Sequence, residues 1–65
     1  MNVLLNGNAH SIATSCTVDE LVSMLELEGK FAVEINQNII PRSEYASTQL
    51  NPDDMIEIVN AIGGG

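Results

Sequence analysis

The residues that could do chemistry in this sequence are few, and their spacing is poor for most of it. There is one His, His10, and one Cys, Cys16. Nucleophilic catalysis would need a Cys or Ser activated by an adjacent base. His10 falls in a segment that reads as an exposed strand. Cys16 stands just before a helix start, where packing is a sufficient role for it. A helix N-terminus can lower a thiol pKa, so a reactive Cys16 remains as the lesser alternative. A zinc site needs three or four closely spaced His, Cys or carboxylate ligands, and no such set is present. Asp53-Asp54 lacks the further oxygens at alternating positions that calcium takes and reads as a solvated turn. A phosphate cradle needs a Gly-rich loop before a helix, with Lys or Arg nearby. The one glycine run, Gly63-Gly64-Gly65, has no helix after it. These readings predict no catalytic group, no metal and no bound cofactor.

The glycine run itself offers another chemistry. It reads either as a frayed end or expression scar, or as a slim tail. Glycines carry no side chain, so they can thread extended through a narrow channel. A terminal glycine presents its α-carboxylate without steric cover. That carboxylate is inert to nucleophiles until one oxygen becomes a leaving group, for example by adenylation. Ile62, immediately before the glycines, would anchor the base of such a tail.

A tail of this kind needs a body to launch it. Met1 to Leu5 alternates as a strand, with Val3 and Leu5 on one face and Leu4 on the other. Asn6-Gly7-Asn8 is a turn, and His10 to Ala13 reads as the returning strand with Ile12 inward. Thr17-Val18-Asp19-Glu20 is a capping box, and Cys16 and Leu21 have hydrophobic-staple spacing. The stripe Val18, Leu21, Val22, Leu25 predicts a helix from about Val18 to about Glu28 that ends at a Gly29 cap. Phe31 to Ile35 alternates again, Asn36-Gln37-Asn38 turns, and Ile39-Ile40 is a short strand limited by Pro41. Arg42 to Ser47 reads as a helical turn or loop carrying Tyr45. Leu50 to Asp54 is turn chemistry, and Met55 to Ile62 is the last strand. The expected fold is α+β: a small sheet with one helix on one face, the first and last strands side by side and parallel at its centre. The period-2 and helical spacings predict a core of Val3, Leu5, Val18, Leu21, Val22, Leu25, Val33, Ile35, Leu50, Ile56 and Ile58.

Composition limits the partners. The chain has 65 residues, 2 Lys plus Arg against 9 Asp plus Glu, and a formal net charge of −7. It is expected to form one domain, with residues 1–62 as the body and 63–65 as the tail. The acidity argues against nucleic acid and against anionic membrane surfaces, both of which ask for Lys and Arg. It favours a partner with a basic face. A single Cys fits a reducing compartment. No apolar run approaches transmembrane length, and the first residues lack the features of a signal peptide, so the expected location is the cytoplasm.

Three stretches carry a resemblance to a known family. They are Thr17-Val18-Asp19-Glu20-Leu21, then Ile35-Asn36-Gln37-Asn38-Ile39-Ile40-Pro41-Arg42 with Tyr45, and Asp54-Met55-Ile56-Glu57-Ile58 with Ile62-Gly63-Gly64-Gly65. Together they resemble the ThiS sulfur carriers of thiamin biosynthesis, a branch of the ubiquitin-like β-grasp proteins. Gly63, ahead of the double glycine, is a small departure from the family's tail. The resemblance implies a protein cosubstrate rather than an enzyme. Its terminal carboxylate, here Gly65, would be adenylated with ATP by a separate ThiF-like activating enzyme. Sulfur drawn from cysteine through a desulfurase would then give a thiocarboxylate, used by a ThiG-like thiazole synthase. Two alternatives share the tail: a molybdopterin-synthase-type small carrier, and a ubiquitin-like modifier joined through Gly65 to lysines.

Strand parity also predicts a partner surface. Val59 points away from Ile56 and Ile58, and Ala32 and Leu4 share its helix-free side. Val59 with Ala32 or Leu4, ringed by Glu34 and Glu57, together with Ile62, forms the expected docking patch.

Overall fold

The computed structural model describes residues 1–60. The expected strand positions and tail at Ile62, Gly63, Gly64 and Gly65 lie outside the described residues. Five strands form one sheet: β1 (Asn2–Leu5), β2 (Asn8–Ser11), β3 (Phe31–Ile35), β4 (Asn38–Ile40) and β5 (Met55–Asn60). Helix α1 spans Val18–Leu25, and a 3-10 segment spans Arg42–Ser47. The strand order is β2-β1-β5-β3-β4. β1 and β5 run parallel, as expected, and the other pairs are antiparallel.

Both hairpins turn on two residues with positive φ. In the first these are Asn6 (φ 48) and Gly7 (φ 84), and in the second Asn36 (φ 50) and Gln37 (φ 74). Such turns match the right-handed twist of the strands they join. The two-residue turn at Asn6-Gly7 brings Asn8 directly opposite Leu5. The return strand therefore begins at Asn8 and ends at Ser11, earlier than the expected His10 to Ala13. Ile12 is buried just beyond it, where its N–H donates to the Met1 carbonyl.

At the start of α1, Glu20 N–H donates to Thr17 Oγ1 at 3.2 Å, and Thr17 N–H donates to Glu20 Oε1 at 3.0 Å. The capping box is complete. The end of the helix departs from expectation. It stops at Leu25, and Glu26, not Gly29, takes the left-handed cap conformation (φ 52). Had the helix continued, Leu27 would have projected on the side opposite the Val18–Leu25 stripe. Stopping at Leu25 leaves Leu27 half-buried.

The core lies between the sheet and α1. Val18, Val33, Ile56, Val3 and Leu21 are its most deeply buried large side chains. Val22, Leu25 and Ile58 pack against it half-buried, and Cys16 and Tyr45 join it beyond the expected set. Val18 N–H donates to the Thr48 carbonyl and Leu50 N–H to the Cys16 carbonyl, so the helix start is tied to the chain that brings in Leu50. No described helix is long and apolar enough to cross a membrane.

Candidate functional site: the tail-launching strand and the open sheet face

β5 is the strand that precedes Ile62-Gly63-Gly64-Gly65 in the sequence, and its position is fixed from both edges. On one side Asn6 N–H donates to the Ile56 carbonyl at 2.9 Å, and Ile58 N–H donates to Asn6 Oδ1 at 2.9 Å. The Asn6 side chain thus continues the β1 ladder past the point where β1 turns away. On the other side Met55 N–H donates to Asn36 Oδ1 at 3.0 Å, and Asn36 N–H donates to the Met55 carbonyl at 2.8 Å. The first residue of each hairpin turn therefore grips β5. Asn tolerates the left-handed backbone that puts its amide there.

Asp54 completes the second grip. Asn36 Nδ2 donates to Asp54 Oδ1 at 3.0 Å, and Asn51 N–H donates to Asp54 Oδ2 at 2.8 Å. Asp54 is buried, at 7% exposure. This corrects the reading of Asp53-Asp54 as a solvated turn: only Asp53 is exposed. A buried carboxylate is tolerable here because both oxygens accept hydrogen bonds.

Val59, Ala32 and Leu4 lie on the helix-free side of the sheet. Val59 is 50% exposed and lies directly opposite exposed Ala32. Leu4, 39% exposed, lies opposite Met55. That places it four residues down β5 from Val59, roughly 13 Å away along the strand. The two apolar lobes are separated by Glu57, which lies directly opposite Glu34. On the far side of Glu34 is Ile39, 69% exposed. Met55 and Ile39 were not singled out from the sequence. Met55 shares the parity of Val59, and the two-residue turn puts Ile39 on Glu34's face, so both were signalled.

Cys16 and His10 do not come together as a nucleophile and base. His10 is exposed on β2, opposite Val3. Cys16 is buried, and its thiol donates to the Thr17 carbonyl at 3.4 Å. Burial, and secondarily the nearby Glu20 carboxylate, push the thiol pKa up. That is opposite to the direction an activating helix N-terminus would give. Among the described residues no group of three or more His, Cys, Asp and Glu side chains could hold a metal ion.

A hairpin, a crossing helix, a second hairpin and a last strand inserted parallel to the first define the ubiquitin-like β-grasp class. Within it the chain belongs to the ThiS family, whose family model it matches over residues 3–65. The crystal structure of the thiamine biosynthesis protein ThiS from Geobacter metallireducens superposes with a TM-score of 0.86 at 30% identity, over the whole of both chains. The sulfur carrier protein ThiS of Escherichia coli is 35% identical over 66 residues, again covering both chains completely. The thiazole synthase of Paramagnetospirillum magneticum is 41% identical over 66 residues. There the match takes in all of this chain but only 20% of the synthase, a share repeated in the thiazole synthase of Magnetococcus marinus. The family and fold expected from the sequence are both borne out.

Proposed function

We propose that this chain is a sulfur carrier of thiamin biosynthesis and acts as a protein cosubstrate rather than a catalyst. The observation that carries the reading is the central strand β5, gripped on both edges and followed in sequence by Ala61 and then Ile62-Gly63-Gly64-Gly65, in a chain of the ThiS family. A rigid root with a slim tail suits a group that must enter an active site in another protein. The Gly65 carboxylate attacks the α-phosphorus of ATP in a ThiF-like activating enzyme, and pyrophosphate leaves. The outer sulfur of a persulfide, formed from cysteine by a desulfurase, then attacks the acyl carbon, and AMP leaves. A thiol attacks the other sulfur of the acyl disulfide so formed, releasing the thiocarboxylate and leaving a disulfide. The resulting thiocarboxylate keeps its sulfur attached to protein until the acceptor takes it. Gly63 and Gly64 give reach, and Ile62 anchors the base.

A ThiG-like thiazole synthase is the favoured acceptor. Two thiazole synthases contain a segment similar to this entire chain within their own length, which favours a carrier and acceptor that work together. The open sheet face is the docking surface for both enzymes. The Val59–Ala32 and Leu4–Met55 lobes supply apolar contact, and the Glu34–Glu57 pair between them suits a Lys or Arg of the partner. Like charges directly opposite weaken a sheet, so this pair serves binding better than it serves folding.

The test is mass spectrometry after incubation with ATP, the activating enzyme and a sulfur source. The expected product has one oxygen replaced by sulfur at Gly65. Deleting Gly65, or replacing Gly64 with Val, should abolish it while the circular dichroism spectrum stays unchanged. Normal activation of the Gly65-deleted protein would overturn the reading, and isopeptide-linked targets in its place would favour a modifier.

A further inference from the structure

The open face does not use the two cations of the chain. Lys30 and Arg42 are its only Lys and Arg, and both stand at the end of the sheet where β5 leads into the tail. Asn60, the last residue of β5, is the register partner of Phe31, which directly follows Lys30. The Val33–Ile40 register of β3 and β4, extended by two residues, brings Arg42 opposite Phe31. The Arg42 guanidinium lies 5.7 Å from the Phe31 ring centroid. Phe31 has the parity of Val33 and Ile35, so this row faces the helix side rather than the open face.

A groove of about 410 Å³ opens there, between α1 and the 3-10 segment. Val22, Leu27, Phe31, Tyr45 and Ala46 line it with Arg42. Asp19 also borders it. Among the described residues no hydrogen bond uses the exposed Arg42 guanidinium. Stacking on an aromatic ring holds a guanidinium in place with its donors free.

We propose that this groove is a second docking site, and that it takes one acidic residue flanked by an apolar one on the enzyme that receives the glycine tail. The inference rests on the carrier reading, because an enzyme that swallows the tail must close around the end of the sheet. The guanidinium pairs with the carboxylate, and Val22, Leu27 and Phe31 take the neighbouring apolar side chain. A run of acids fits poorly, since Asp19 lies on the same border. The sign of the charge is the reason for committing to this occupant. Glu34 and Glu57 ask for a basic contact on one face, while Lys30 and Arg42 ask for an acidic one at the tail end. Two patches of opposite sign fix the carrier's orientation, so that the tail meets the active site in one way only.

The experiment is calorimetric titration of the intact carrier into the thiazole synthase and the activating enzyme of the same organism, at low and at high salt. Arg42→Glu should weaken binding to at least one of them by roughly tenfold. Arg42→Gln should weaken it less, and Arg42→Lys should restore part of the loss. Added salt should narrow the gap between wild type and Arg42→Glu. The melting temperatures should stay close together, since Arg42 is exposed. Unchanged affinity of Arg42→Glu for both enzymes would overturn the inference and leave the carrier reading standing. So would a loss that follows unfolding, or one that Arg42→Lys does not relieve. Self-association that only wild type forms in sedimentation would overturn it in favour of a second copy as the occupant. Wild type that binds neither enzyme would remove the carrier reading, and this inference with it.

Discussion

The two faces of the sheet are built by the same three central strands, yet they are apolar for different reasons. On the helix side Val3, Val33 and Ile56 are at most 2% exposed. Their burial against α1 is what drives the fold together. On the other side Leu4, Met55 and Val59 are 39–50% exposed, and β4 adds Ile39. Among the described residues, four of the five exposed large hydrophobics thus share one face, and Met24 is the fifth. Scattered exposed apolar residues are normal. Here they gather on one face around a Glu34–Glu57 pair, which is what the proposed docking role requires. Alternation along one strand can therefore serve folding and recognition at once, because a residue and its neighbour point to different surroundings.

The comparison breaks if the helix-side residues prove dispensable. Ile56→Ala should cost ~2–5 kcal/mol, a large share of a small domain's stability, and thermal or urea unfolding would read it. An unchanged midpoint would mean that the core is not where the burial places it. Asp54→Ala should come next. It strips the acceptor from the Asn36 amide and the Asn51 N–H, and should cost ~1–3 kcal/mol. Amide exchange should rise first at Met55, whose N–H is held by Asn36.

The open face should behave the other way round. Val59→Asp should leave stability within ~0.5 kcal/mol while weakening binding to the activating enzyme and the thiazole synthase by roughly tenfold. Unfolding by this substitution, or unchanged affinity for both enzymes, would end the distinction between the faces. The smallest effect is expected from Glu57→Lys. It should slow association a few-fold, with a difference that shrinks as salt is added. Because it replaces a like-charge pair with an opposite one, it should also raise stability by ~0.2–1 kcal/mol. Stopped-flow association and a melting curve of the same variant check both signs.

Much of this arrangement was legible because it is local. The capping box needed only Thr17 and Glu20 three residues apart. The burial of Val3 and Leu5 against the exposure of Leu4 needed only alternation. The turns at Asn6-Gly7 and Asn36-Gln37 needed only residues that accept a positive φ. The misreadings have a different origin. Asp54 looked like one more turn acid because its partners are a backbone N–H and the amide of Asn36, 18 residues away. The end of α1 was placed by its glycine, whereas the half-burial of Leu27 set it earlier.

The sequence by itself determined which elements form, which face each strand residue takes, and that a run of glycines comes after the last strand. Each is a property of neighbours along the chain, governed by a period of 2 or 3.6 residues or by the φ a residue tolerates. Only the tertiary structure decided what meets what. Parity places Leu4, Ala32 and Val59 on one face, but it leaves open how far strands distant in sequence slide along one another. The grip of Asn6 on Ile58, 52 residues away, and of Asn36 on Met55 sets that slide. It brings Val59 to Ala32, gives Leu4 to Met55, and lines up Asn60, Phe31 and Arg42 across the end of the sheet where β5 finishes.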